Sequence, residues 1–85
     1  MHWNQETIQE LEILAGLDLT TTMTGIKVHK DAEPTMIATI ERLHGKRLMT
    51  QSDGGYLTDL GREAAEHIQS AMTILSTASF LPQIE

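Results

Sequence analysis

Six basic side chains are concentrated in the middle of the 85-residue chain, where such a cluster could bind an anion. They are Lys27, Lys30, Arg42, Lys46, Arg47 and Arg62. Residues 27–62 carry these six bases and five acids, a sum of +1, whereas residues 1–26 sum to −4 and residues 63–85 to −3. The net charge of −6 therefore excludes a uniformly basic nucleic-acid coat, but it leaves one segment in which a phosphate could dock.

Other kinds of chemistry have little support in the residue types. The chain has no cysteine, which excludes thiol nucleophiles and thiolate metal sites. The histidines lack metal-site spacing, so we expect no metal and no cofactor; they are His2, His29, His44 and His67. Nucleophile-elbow, P-loop and dinucleotide-binding motifs are missing, and acids such as Glu6 and Glu10 are expected on a solvated helix face. We therefore predict that the protein is not an enzyme and has no small-molecule substrate.

Helical spacing of apolar residues predicts three helices around the basic segment. They cover residues 5–16, 34–44 and 59–78. Asn4 and Thr58 are suitable N-caps for the first and third helices. Pro34 suits the first turn of the second helix, and Gly45 is expected to end that helix in a left-handed conformation.

Strand signals lie on both sides of the second helix. Residues 47–58 predict a β-hairpin, because Ser52-Asp53-Gly54-Gly55 supplies the positive-φ positions of a tight turn. The alternation of apolar and polar residues over Gly25–His29 predicts a short third strand. A short, irregular helix around Thr21–Gly25 is the competing interpretation of this threonine-rich segment.

Two passages around the predicted hairpin resemble a winged helix. Ile40–Met49 is similar to the end of a recognition helix that enters a wing strand. Tyr56–Arg62 contains the Leu-Thr-x-x-Gly-Arg passage that closes the wing in MarR-like and PadR-like regulators, and the likeness covers about residues 33–67. The whole chain also resembles a small family of uncharacterised gammaproteobacterial proteins that carry a DNA-binding label, through Gly25–His29 and Asp53–Thr58.

The resemblance implies one winged-helix-like domain over residues 1–85, with residues 80–85 as a tail. The fold class is α+β and mainly helical, with three long helices, one hairpin as the wing and a short third strand at residues 25–29. The resemblance also implies that the second helix enters the major groove of double-stranded DNA. The expected contacts are Thr35 and Thr39 near base edges, Arg42, Lys46 and Arg47 on phosphates, and Lys27 and Lys30 beside them.

Two departures from the winged-helix pattern favour a different function. The threonine-rich residues 17–32 lack the signal of the helix that a full helix-turn-helix places there, and the wing tip carries Asp53 and no base. The alternative function is a non-catalytic protein–protein interaction module, for dimerisation or as an adaptor, that keeps the fold without binding DNA.

The apolar end of the chain predicts a surface for self-association. About four or five phosphate contacts from one chain would bind DNA weakly, so we expect a homodimer. Its predicted surface is the end of the last helix and the tail, unless both cover the core; the residues are Met72, Leu75, Phe80, Leu81 and Ile84.

Residues 1–15 do not resemble a signal peptide, and residues 68–81 are too short and polar for a membrane span. The sequence therefore predicts a soluble, cytoplasmic protein without membrane contact.

Overall fold

The computed structural model describes residues 3–20 and 25–78. In chain order its elements are α1 (Gln5–Ala15), β1 (Ile26–Lys27), α2 (Pro34–Gly45), β2 (Met49–Gln51), β3 (Gly54–Leu57) and α3 (Asp59–Thr77). The predicted fold class is confirmed: the protein is α+β and mainly helical, with an order of elements compatible with a winged-helix-like arrangement. In the described residues, none of the three helices is long and apolar enough to cross a membrane.

The strands form an antiparallel sheet in the order β1-β3-β2. The predicted hairpin is confirmed as β2 and β3, with positive φ angles of 121° at Gly54 and 72° at Gly55. The predicted third strand is confirmed as β1, which pairs Ile26 with Gly55 and Lys27 with Gly54. The competing helix around Thr21–Gly25 falls mostly on residues outside the described ranges.

The helix ends follow the sequence except at one residue. The side chains of Asn4 and Thr58 accept the expected hydrogen bonds, from the backbone N–H of Thr7 at 2.8 Å and of Gly61 at 3.0 Å. The prediction for Gly45 was wrong, because Gly45 is the last helical residue of α2.

The left-handed position that ends α2 belongs to Arg47, whose φ is 67°. The hydrogen bonds that close α2 come from residues beyond Gly45: the backbone N–H groups of Lys46 and Leu48 donate to the carbonyls of Arg42 and Leu43, at 3.0 and 2.9 Å. An arginine thus occupies a conformation that glycine adopts without steric penalty.

A small apolar core joins α1, α2, β2 and α3. Its fully buried members are Leu14, Ile40, Leu43, Met49 and Ala65. At the start of α3, Gly61 lies so close to the strand that a Cβ there would overlap the Leu48 carbonyl oxygen. The close packing of α3 against the hairpin therefore requires a glycine at position 61.

Gln69 makes the last polar contact between α3 and the body of the protein among the described residues. Its side-chain amide donates to the carbonyl of Leu14, in the last turn of α1, at 3.0 Å and to the carbonyl of Leu17, just beyond that helix, at 2.7 Å. Every residue from 70 to 78 is exposed. The second half of α3 therefore extends beyond the core.

Candidate functional site

Two of the predicted phosphate contacts, Arg42 and Lys46, face α1. The carboxylate of Glu10 accepts a hydrogen bond from Arg42 Nε at 2.8 Å and another from Lys46 Nζ at 2.5 Å. The Glu10 side chain is only 10% exposed, against 26% for Arg42 and 55% for Lys46. The expectation that Glu10 lies on a solvated face was therefore wrong, and both cations are engaged within the protein.

The guanidinium of Arg42 extends this network on both helices. Its Nη2 donates to Gln9 Oε1 and to Thr39 Oγ1, each at 3.2 Å. Thr39, expected near base edges, is 1% exposed, and its hydroxyl donates to the carbonyl of Thr35 at 2.7 Å. The polar face of α2 that the sequence assigned to DNA thus packs largely against α1.

The charge state of Glu10 follows from this geometry. Burial on its own raises the pKa of the carboxyl, but the hydrogen bonds and charges of Lys46 and Arg42 outweigh burial. The pKa is therefore lowered from its ordinary value of 4.5. Glu10 stays ionised at neutral pH and offsets one of the two positive charges beside it.

A sequence signal for this network exists, but it was missed. Glu6 and Glu10 are four residues apart, and so are Arg42 and Lys46. Four-residue spacing places each pair on one face of its helix, so two adjacent helices can match acids with bases. Glu6 also lies 3.9 Å from the Arg42 guanidinium in the structure, at a more exposed position.

The other predicted DNA contacts do not form one positive patch. Lys27 lies 3.5 Å from Asp53 at the wing tip. Lys30 and Arg47 are exposed and, within residues 3–20 and 25–78, have no acidic side chain within 4 Å. Acids that would interrupt such a patch are exposed as well; they are Asp31, Glu33 and Glu41.

The predicted self-association surface is partly described. Met72 is 52% exposed and Leu75 is 78% exposed. Ile74, which the sequence argument left out of this surface, is 63% exposed and directly precedes Leu75 in the helix. Phe80, Leu81 and Ile84 lie outside the described residues.

One further concave surface lies between α1, β1 and the first half of α2. It has a volume of about 550 Å³ and a floor of apolar side chains.

In the part of the chain that the structure describes, no group of three His, Asp or Glu side chains is arranged to hold a metal ion.

Comparison with known proteins places the chain in a family. Residues 1–76 match the family of unknown function DUF5669, and the chain belongs to that family. No curated protein and no solved structure matches the chain.

Proposed function

We propose that this member of DUF5669 is a non-catalytic protein-interaction module that pairs with a second copy of itself through the second half of α3. The observation that carries the proposal is the exposure of residues 70–78, with three large apolar side chains among them. The winged-helix-like arrangement then serves as the body that presents this helix.

The exposed side chains supply enough apolar surface for a weak dimer. Full burial of a Met, Ile or Leu side chain is worth about 1.5–3 kcal/mol. Because Met72, Ile74 and Leu75 are more than half exposed, each retains roughly half of that for an interface. Six such side chains in a symmetric pair contribute about 4.5–9 kcal/mol, and association costs at least about 4 kcal/mol of this. We therefore expect a weak dimer with a dissociation constant of about 0.2 mM or higher.

Charge favours a second copy over a charged partner. Residues 68–84 contain no charged residue, although the chain as a whole has a net charge of −6. The acids of α3, Asp59, Glu63 and Glu66, are confined to its first half. In an antiparallel pair of the second halves, these acids would lie at opposite ends of the interface. Two acidic chains could therefore meet without placing like charges together.

A charge placed among the exposed apolar side chains of α3 tests the proposal. Leu75→Glu should convert a concentration-dependent dimer into a monomer in sedimentation equilibrium. Thr73→Glu is the matched control, because Thr73 is exposed and lies about 160° around the helix from Leu75 and about 100° from both Met72 and Ile74. It should leave the dissociation constant within about twofold. A parent protein that stays monomeric at millimolar concentration, or two variants that behave alike, contradicts the proposal.

Double-stranded DNA is the second candidate partner. Its support is the succession of α2, β2 and β3 in winged-helix order, together with the exposed cations Lys30 and Arg47. Arg47→Ala should weaken binding to mixed genomic fragments and reduce the salt slope by about one. Arg62→Ala is the control, because Arg62 pairs with Glu66 on α3 at 3.7 Å. Absence of binding by the parent at about 50 mM salt would eliminate this candidate.

A further inference from the structure

The groove between α1 and α2 has an apolar floor that is open to solvent. Ile13 and Leu17 contribute from the α1 side, Ile26 from β1, and Met36 and Ile40 from α2. Met36 is 43% exposed, so the floor is incompletely covered within the described residues. A volume of about 550 Å³ falls in the range of sites that enclose several apolar groups of a ligand.

Two acids, Glu12 on α1 and Glu33 just before α2, stand at the rim of this groove. Both are exposed, and neither has a basic side chain within 4 Å in the described ranges. Glu33 also makes no capping hydrogen bond with its side chain. By contrast, Glu10, two residues before Glu12, is fully engaged by two cations. The lining includes no Lys or Arg, so the mouth of the groove is negative.

We infer that this groove binds an amphipathic helix of another protein, in which Lys or Arg residues flank a short apolar stripe. The apolar anchors of such a helix fit the floor, and its cations complement Glu12 and Glu33. The inference goes beyond self-association, because the uncharged second half of α3 has nothing to pair with the rim. It gives the dimeric module a second surface and the role of an adaptor.

A pair of designed peptides tests this inference on the full chain. The probe is a fluorescein-labelled helix of about four turns with a stripe of leucines flanked on both sides by lysines; a second peptide has glutamates in place of the lysines. Fluorescence anisotropy at low and high salt should show binding of the leucine–lysine peptide, and at least tenfold weaker binding of the leucine–glutamate peptide.

Matched charge variants separate the groove from the general attraction of an acidic protein for a basic peptide. The double variant Glu12→Gln, Glu33→Gln should weaken binding about tenfold at low salt. Glu63→Gln, Glu66→Gln changes the net charge equally on α3 and should alter affinity by less than about twofold. Equal losses in the two double variants, or equal affinity for both peptides, would overturn the inference.

A change in the floor provides a second test that does not depend on the rim. Met36→Lys, at a position already 43% exposed, should abolish binding of the leucine–lysine peptide, whereas Leu60→Lys, at a residue 54% exposed on α3, should not. Persistence of binding in Met36→Lys would place the peptide elsewhere. Sedimentation of the same variants keeps the two proposals apart: groove variants should remain dimeric, and Leu75→Glu should remain competent to bind peptide.

Discussion

Replacing Glu10 with glutamine should remove the main polar link between α1 and α2. The substitution keeps the size of the side chain and removes its charge. Arg42 and Lys46 would then face a neutral amide that can accept fewer hydrogen bonds and attracts neither cation. The expected result is a marked loss of stability with an unchanged fold.

The size of the loss follows from the exposure of the three partners. A hydrogen bond to a charged group contributes about 1.5–3 kcal/mol, and breaking a fully buried ion pair costs about 3–5 kcal/mol. Lys46, at 55% exposure, can be rehydrated, and Arg42 retains its bonds to Gln9 and Thr39. We therefore expect the free energy of unfolding to fall by about 2–3 kcal/mol, which corresponds to a fall in Tm of roughly 10–20 °C for a domain of this size.

Urea and thermal unfolding followed by circular dichroism measure this loss. Glu12→Gln is the control, because it makes the same chemical change on the same helix at an exposed position. It should change the free energy of unfolding by less than about 0.5 kcal/mol. If Glu10→Gln is as stable as Glu12→Gln, the carboxylate is not the link between the helices that the distances indicate.

The pH dependence gives the same experiment a second readout. Because the pKa of Glu10 is lowered in the folded protein from 4.5, its stabilisation is complete above that pH. It is lost as the pH falls through the lowered value of the folded state. The stability difference between the parent and Glu10→Gln should therefore be constant at neutral pH and shrink in acid. A difference that grows in acid would contradict the lowered pKa.

Two backbone predictions follow from the ends of α2 and α3. Arg47→Gly should raise the free energy of unfolding by about 0.5–1 kcal/mol, because a φ of 67° favours glycine. Urea unfolding measures this change. A loss of stability would show that the contacts of the Arg47 side chain outweigh the strain of its left-handed backbone. Gly61→Ala should lower the free energy of unfolding by roughly 2–4 kcal/mol, since the new Cβ would overlap the Leu48 carbonyl; a Tm within a few degrees of the parent would mean that α3 shifts freely.

The elements were predictable because their signals are local. Asn4 and Thr58 cap helices whose apolar residues repeat at helical spacing, and the glycines of the wing turn occur where positive φ is needed. The end of α2 was not predictable in the same way. Gly45 was the expected left-handed residue, but the left-handed conformation occurs at Arg47. There it allows the N–H of the next residue, Leu48, to donate to the Leu43 carbonyl and close the helix.

The site was harder to predict because charge alone does not show which helix face is covered. Arg42 and Lys46 were correctly placed on one face of α2, but no pattern in the sequence indicates how close that face lies to α1. Only the packing of α1 on α2 brings Glu10 to them and buries Thr39. The sequence left open whether the end of α3 covers the core, and the exposure of Met72 and Leu75 shows that these two side chains do not.

Any binding to DNA is restricted by the same ion network. If a phosphate took Arg42 or Lys46 from Glu10, a carboxylate only 10% exposed would lose a partner. The phosphate contacts that leave the Glu10 network intact are therefore those of Lys30, Arg47 and, after release from Asp53, Lys27. Each phosphate contact contributes about −0.9 to the slope of log affinity against log salt, so the slope should be about −2 to −3 per chain. A slope near −4.5, the value for all five predicted cations, would require α1 to separate from α2 on DNA.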